Sequence, residues 1–341
     1  MHADLAPALD ALLAGRPLSA EAAEAAFGRV MAGETEDAEM AALLTALAVR
    51  GETAPALAGA ARVLRRHATK IEPLSQGLLD TCGTGGDRLH TFNISTAAAL
   101  VVAACGQPVA KHGNRSVSSS SGSADVLERL GVSLDRTPAE VARCVDEIGI
   151  GFLYARALHP AMARVAGVRK ALGFRTAFNL LGPLANPAGA TFHLLGTGDL
   201  STARVLADAS EQLGLPRGGR TVVVCGNNQL DEVALWGTTS WFAVSAGGGR
   251  EAGTWTPRDF GLDEVSPDDL RVDSPEASAA MISGILAGEG GPSADMVLAN
   301  AAAALWCCGK AKTVRDGVAA ARAAVEGGAA ADVLRRLAGG A

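Results

Sequence analysis

The chain has 341 residues, 48% of them hydrophobic, and a formal net charge of -6. That is enough apolar material for one large domain and a small one, or two of ordinary size. The acidic balance argues against nucleic-acid binding, which draws on basic surface. The N-terminus has no basic leader followed by an apolar core, and no apolar run reaches membrane-spanning length. A cytoplasmic protein with no membrane partner is therefore expected. The six cysteines are scattered, without a CxxC pair or zinc spacing, and read as small buried hydrophobes in a reducing compartment.

Residues 1 to about 70 read as helices: Leu9, Leu12 and Leu13 share a face, Ser19 opens a second helix, and 39–50 and 55–67 keep helical spacing. The character then changes. A short apolar strand at 78–82 ends in Gly83-Thr84-Gly85-Gly86-Asp87, and a helix over 93–105 follows, with Asn93 or Ser95 as its cap. A strand at 108–110 runs into Lys111-His112-Gly113-Asn114-Arg115, then a serine-rich loop and a helix at 124–130. Strands at 191–195 and 221–225 bracket a helix at 202–214, and 241–244 adds a further strand. Residues 245–275, rich in Gly, Pro and Asp, assign no element, and helices at 278–288, 294–308 and 313–324 close the chain. Strands alternating with helices predict an α/β fold with a mostly parallel central sheet and helices on both faces.

Four segments carry chemistry. In the first, Gly83 to Asp87 sits between a strand and a helix start, where glycines let exposed N–H groups approach an anion. Alone it is equally a tight turn, and it matches neither GxGxxG nor GxxxxGK[ST]. In the second, Lys111, Arg115 and the hydroxyls of 116–123 precede a helix, which suits a polyanion or, more blandly, a solvated linker. In the third, the adjacent carboxylates Asp231 and Glu232 follow a strand and can hold Mg²⁺, though such a pair is usually solvated. In the fourth, His159-Pro160, Arg169 and the turn 179–187 include a cation able to grip a carboxylate with two hydrogen bonds.

The ordered set GTGGD, NIST, KHGNR, SGSADVLE, HPAM, VRK, FNLLGPLANP and LDE resembles the anthranilate phosphoribosyltransferases, and the resemblance runs from about residue 10 to 325. The resemblance implies a helical domain at 1–72, completed by about 165–185, and an α/β domain at 77–338 of nucleoside phosphorylase and phosphoribosyltransferase-like architecture. It implies a homodimer formed through the helical domains. Phosphoribosyl pyrophosphate (PRPP) would meet Gly83, Gly86, Asp87 and Thr91. It would also meet Asn93, Ile94, Ser95 and Thr96 at the helix start, and Lys111, His112, Gly113, Asn114 and Arg115. Ser116, Val117, Ser118, Ser119 and Ser123 complete that set. Anthranilate would meet Gly83, Asn114 and Arg169, with His112, His159 and Pro183 nearby. Mg²⁺ would involve Ser95, Asp231 and Glu232.

The sequence departs from the family pattern at Arg88, Ser120, Arg156 and Asn228-Gln229. A pyrimidine nucleoside phosphorylase of the same architecture is the nearest alternative, and KHGNR with Asp231-Glu232 speaks against it. A non-catalytic nucleic-acid-binding relative is the other, and the acidic charge speaks against that.

Overall fold

A computed structural model of the chain describes residues 4–87, 89–115 and 121–339. Four helices come first: α1 (Ala6–Leu13), α2 (Ala20–Ala32), α3 (Asp37–Arg50) and α4 (Ala54–His67). The Ser19 hydroxyl accepts the Ala22 N–H at 3.2 Å and starts α2, and Gly33 ends it at a left-handed φ of 78°. Ala23, Ala26, Phe27, Val30 and Met31 of α2 are buried at helical spacing. Each large side chain among them contributes about 1.5–3 kcal/mol by leaving water.

The α/β part runs β1 (Leu79–Gly83), α5 (Ile94–Ala104), β2 (Val109–Gly113), α6 (Ser123–Arg129), α7 (Pro138–Ile148), β3 (Ile150–Tyr154) and α8 (Ala155–Leu158). Next come α9 (Ala163–Leu172), α10 (Phe178–Leu181), β4 (Phe192–Gly196), α11 (Leu200–Leu213), β5 (Arg220–Gly226), β6 (Thr239–Ser245) and β7 (Gly249–Trp255). The chain closes with α12 (Pro257–Phe260), α13 (Pro275–Leu286), α14 (Pro292–Cys307), α15 (Val314–Glu326) and α16 (Ala329–Gly339).

The seven strands form one sheet in the order β3-β2-β1-β4-β5-β6-β7. β1 to β5 pair in parallel, while β6 and β7 are antiparallel. The mostly parallel sheet expected from the alternation is present. On one face α5 packs in a core with α14, α15 and α16. On the other, the buried residues of α1 to α4 share a core with α11, with Val223 and Cys225 of β5, and with Val165, Val168, Phe178 and Leu181. The N-terminal helices thus carry apolar surface that this later segment, α11 and the sheet help to cover. No helix among the described residues is long and apolar enough to cross a membrane.

Three features differ from the sequence reading. It does not mark α7, β3 or α16, and it leaves β7 in an unassigned stretch. The start of α5 is not capped by its own residues: neither Asn93 nor Ser95 caps it by a side chain. Glu232 does so from across the sheet, accepting the Ser95 N–H at 3.0 Å.

Candidate active site

Succession along the sheet reverses between β1 and β4, because β2 and β3 lie to one side of β1 and β5 to the other. Ligands in open α/β sheets bind outside the strand carboxyl ends at such a switch point. Gly83 and Gly196 face each other there as register partners. Asp231 lies over both: a Cβ built on either glycine would collide with it, so only glycine admits this close approach.

The Asp231 segment is reached from β5 by a tight turn. Asn227 and Asn228 take positive φ of 47° and 53°, and Gly226 bridges to Leu230. Asparagine is among the few side chains that tolerate this geometry. The buried Asn300 amide of α14 then fixes the next residue, accepting the Val233 N–H at 2.8 Å and donating to the Val233 carbonyl at 3.1 Å. This holds two carboxyls inward. Asp231 accepts the Gly85 N–H at 2.7 Å, and Glu232 caps α5. Burial raises both carboxyls above the ordinary range, with Asp87 pushing Asp231 up and Asp231 pushing Glu232 up. A bound cation would reverse that.

Lys111, in the middle of β2, is 2% exposed. Its ammonium donates to the Thr81 carbonyl at 2.6 Å and to the hydroxyls of Thr81 and Ser95 at 3.3 Å. Lys111, Ser95, Asp231 and Glu232, called from separate motifs, therefore meet around the N-terminus of α5.

The glycine loop lies alongside. Gly86 has φ of 78°, and Asp87 accepts the Leu89 N–H at 3.1 Å. Thr91 bridges to Arg271, and the Asn93 amide donates to the Ser121 hydroxyl at 2.6 Å. The side chains of Ile94 and Thr96 are each 1% exposed within α5, so their part toward the cleft is limited to backbone. The Arg115 guanidinium pairs with Asp125 at 2.8 Å and Glu128 at 3.0 Å on α6. The Ser123 hydroxyl donates to the Asn114 carbonyl at 3.3 Å, close above Gly113. Ser116, Val117, Ser118 and Ser119 lie outside the described residues, as do Arg88 and Ser120.

A second group lies on the other side of β2. The buried rings of His112 and His159 sit 5.1 Å apart, tilted by 52°. His112 Nδ1 faces the Gly182 carbonyl at 3.2 Å, and the Nε2 atoms of both rings lack a partner among the described residues. Burial pushes His112 down to about 3 and His159 down to about 4, so both are neutral imidazoles. Half-buried Arg169, in the last turn of α9, stacks its guanidinium 5.6 Å from the centre of the Phe178 ring. Pro183 is buried in the 3-10 turn Gly182–Leu184. This corner combines apolar walls, polar ring nitrogens and one cation, a composition suited to an aromatic acid.

The sequence reading misses Asp80, Arg175 and Asn300. Arg175 donates to the Gly85 carbonyl at 2.8 Å and reaches the Thr84 carbonyl at 3.4 Å, joining the segment after α9 to the glycine loop. No sequence signal marks it. Asp80 and Asn300 do leave one, a polar residue inside an otherwise apolar buried strand or helix.

Residues 6–68 match the helical bundle domain of a glycosyl transferase family and residues 75–331 match its a/b domain. The class is therefore a glycosyl transferase built from those two parts. The anthranilate phosphoribosyltransferase of Thermomicrobium roseum is 45% identical over 96% of this chain and 94% of its own length. That of Rubrobacter xylanophilus is also 45% identical, over 98% and 96%. The crystal structure of the Thermus thermophilus enzyme superposes with a TM-score of 0.90 at 42% identity, covering 97% of this chain and 98% of that one. The Saccharomyces cerevisiae enzyme in complex with PRPP and Mg gives 0.88 at 27% identity, covering 98% and 97%. The chain belongs to the anthranilate phosphoribosyltransferases and has that activity, a step of tryptophan biosynthesis. These relatives share one activity, which sets the nucleoside phosphorylase reading aside.

Proposed function

We propose that the chain transfers the phosphoribosyl group of PRPP to the anthranilate amine, giving N-(5-phosphoribosyl)anthranilate and pyrophosphate, with its two side-chain groups serving one substrate each. The carrying observation is the meeting of Lys111, Ser95, Asp231 and Glu232 at the N-terminus of α5, beside the glycine loop. A helix N-terminus with exposed loop N–H groups and a buried ammonium is an anion site. PRPP takes that side, along the loop from Gly83 to Asp87, the start of α5 and the segment from Lys111 to Ser123.

The donors near that point are all oxygens: the Ser95 hydroxyl and the carboxylates of Asp231 and Glu232. Among the described residues no cluster of three or more His, Cys, Asp or Glu forms. Such a set does not make an all-protein cage, but it suits Mg²⁺, which keeps waters and shares phosphate oxygens. The S. cerevisiae relative's complex with PRPP and Mg supports the same reading. When bound, Mg²⁺ neutralises charge on the departing pyrophosphate. Lys111 and the loop N–H groups add fixed positive potential there without reorganising.

Anthranilate takes the other corner. Arg169 holds its carboxylate, His112, His159 and Pro183 wall the ring, and Asn114 and Gly83 border the reacting edge. A relative's complex with 4-fluoroanthranilate supports an aromatic acid as the second ligand. The amine is neutral at neutral pH, so positioning carries the step and no strong base is required. His112, held neutral by burial, is a poor proton acceptor and serves as a hydrogen-bonding wall. The proposal extends to a helical domain at 1–72 completed by 165–185, an α/β domain at 77–338, a homodimer and a cytoplasmic location.

The test is kinetic. With PRPP and Mg²⁺ the protein should consume anthranilate fluorescence. Arg169→Ala should raise the anthranilate KM by the value of a charged hydrogen bond, about 1.5–3 kcal/mol, and leave the PRPP KM unchanged. Equal loss for both substrates would place Arg169 on the phosphate side and refute the division.

A further inference from the structure

Asp80 lies within β1, 1% exposed, and nothing above uses it. Its Oδ1 accepts the His112 N–H from β2 at 3.0 Å, and its Oδ2 accepts a hydrogen from the Asn186 amide at 2.7 Å. The same Asn186 nitrogen donates to the Ala110 carbonyl at 2.9 Å, and the Asn186 oxygen accepts the Ala188 N–H at 2.9 Å. Both faces of that amide are committed. The His112 ring returns to the same turn through Gly182 at 3.2 Å. A closed circuit results, from β1 to β2, from the His112 ring to the turn 182–187, and back to β1 through Asn186.

We propose that Asp80 is a positioning residue for the aromatic acceptor. It locks His112 and the Pro183 turn into one rigid wall, and this rests on the placement of anthranilate beside His112, Pro183 and Arg169. Lys111 makes no hydrogen bond in the circuit, although its charge acts on the Asp80 carboxyl. Side chains alternate along β2, so Lys111 and His112 leave on opposite faces, and the Lys111 ammonium has its own anchors on Thr81 and Ser95. Loosening the circuit therefore disturbs the acceptor side before the phosphate side.

The circuit also demands a carboxylate. An amide at position 80 keeps the acceptor for the His112 N–H but turns an NH₂ group toward that of Asn186. Flipping Asn186 would set its oxygen against the Ala110 carbonyl. A buried unsatisfied group is costly, and the strain falls on the wall.

Asp80→Asn and Asn186→Ala should each raise the anthranilate KM at least about fivefold and keep the PRPP KM within about twofold. A role in folding alone would lower the melting temperature and the active fraction while leaving both KM values where they are. Arg169→Ala, measured beside them, separates the placement of anthranilate from the positioning role of Asp80. If it leaves the anthranilate KM unchanged, the placement of anthranilate fails. If it raises that KM while Asn186→Ala does not, or if the clamp variants raise both KM values equally, the positioning role is overturned. Should Asp80→Asn fail to fold, Asn186→Ala decides alone.

Discussion

Arg175 brings a cation from the segment that follows Arg169 onto carbonyls of the loop proposed to hold PRPP. It is exposed, so its contribution to stability is small, yet it sets the loop's posture. Arg175→Ala should raise the PRPP KM about fivefold, the value of roughly 1 kcal/mol for a hydrogen bond, with little change in melting temperature. An unaltered PRPP saturation curve would show that the loop holds its shape without it. A second residue-scale expectation concerns His193, buried in β4 with Nε2 at 3.0 Å from the Ala190 carbonyl. Burial, then Arg65, pushes it down to about 4 from an ordinary 6.5. Its folded value is depressed, so the unfolded chain alone binds this proton between those two values, and stability is lost as pH falls through that window. His193→Gln keeps a donor for Ala190 but cannot titrate. Relative to wild type it should gain about 1.4 kcal/mol per pH unit between pH 6.5 and 4. Urea midpoints at pH 7 and pH 4.5 measure this, and parallel behaviour of the two proteins would contradict it.

At the scale of elements, the turn after β5 separates what sequence reveals from what it conceals. The Asn228-Gln229 pair reads in sequence as a departure from the family pattern beside the metal. In the structure the left-handed positions are Asn227 and Asn228, so Gln229 carries no such strain. The Asn228 side chain is engaged elsewhere, accepting the Leu200 N–H at 2.9 Å at the start of α11. Asn228→Ala should therefore cost about 1–2 kcal/mol through the lost cap and leave the Mg²⁺ dependence of turnover unchanged. A shifted Mg²⁺ requirement would return Asn228 to the metal site. Elements with a strong local signature were legible: α5 is apolar on nearly every side, and the glycine loop follows β1 directly. α7 carries a sequence signal that the sequence reading left unused, the capping box of Thr137 and Glu140. β7 was not legible. Its first six residues are largely exposed and include two glycines, and only its ladder with β6 makes it a strand. Pairing across a sheet is decided by the partner, which no local window contains. The same holds within the site. Motifs delivered Lys111, Asp231 and Glu232, whereas Asp80 and Arg175 act through residues distant in sequence.

Among the described residues Leu13, Val49, Leu74 and Phe174 are large apolar side chains left exposed, and the first two belong to the N-terminal helices. Leu13, at the end of α1, and Val49, near the end of α3, are 79% and 78% exposed, although both helices bury their other large apolar residues. The two positions share one end of the helical unit, since a Cβ on Gly15 would meet the Arg50 guanidinium. The homodimer proposed above is expected to associate through this end of the bundle, where the two exposed aliphatics lie. A two-fold dimer would set the same patch against itself, as isologous interfaces do. Charge placed there would then face like charge across the axis, and each added carboxylate would have to leave water without a partner. Light scattering at micromolar concentration should give twice the chain mass for wild type and a single chain for Leu13→Glu/Val49→Glu. The melting temperature of the double variant should be nearly that of wild type measured under dissociating dilution, because neither side chain is part of the monomer core. A wild-type monomer at that concentration, or a double variant that still dimerises, would place the interface elsewhere or remove it.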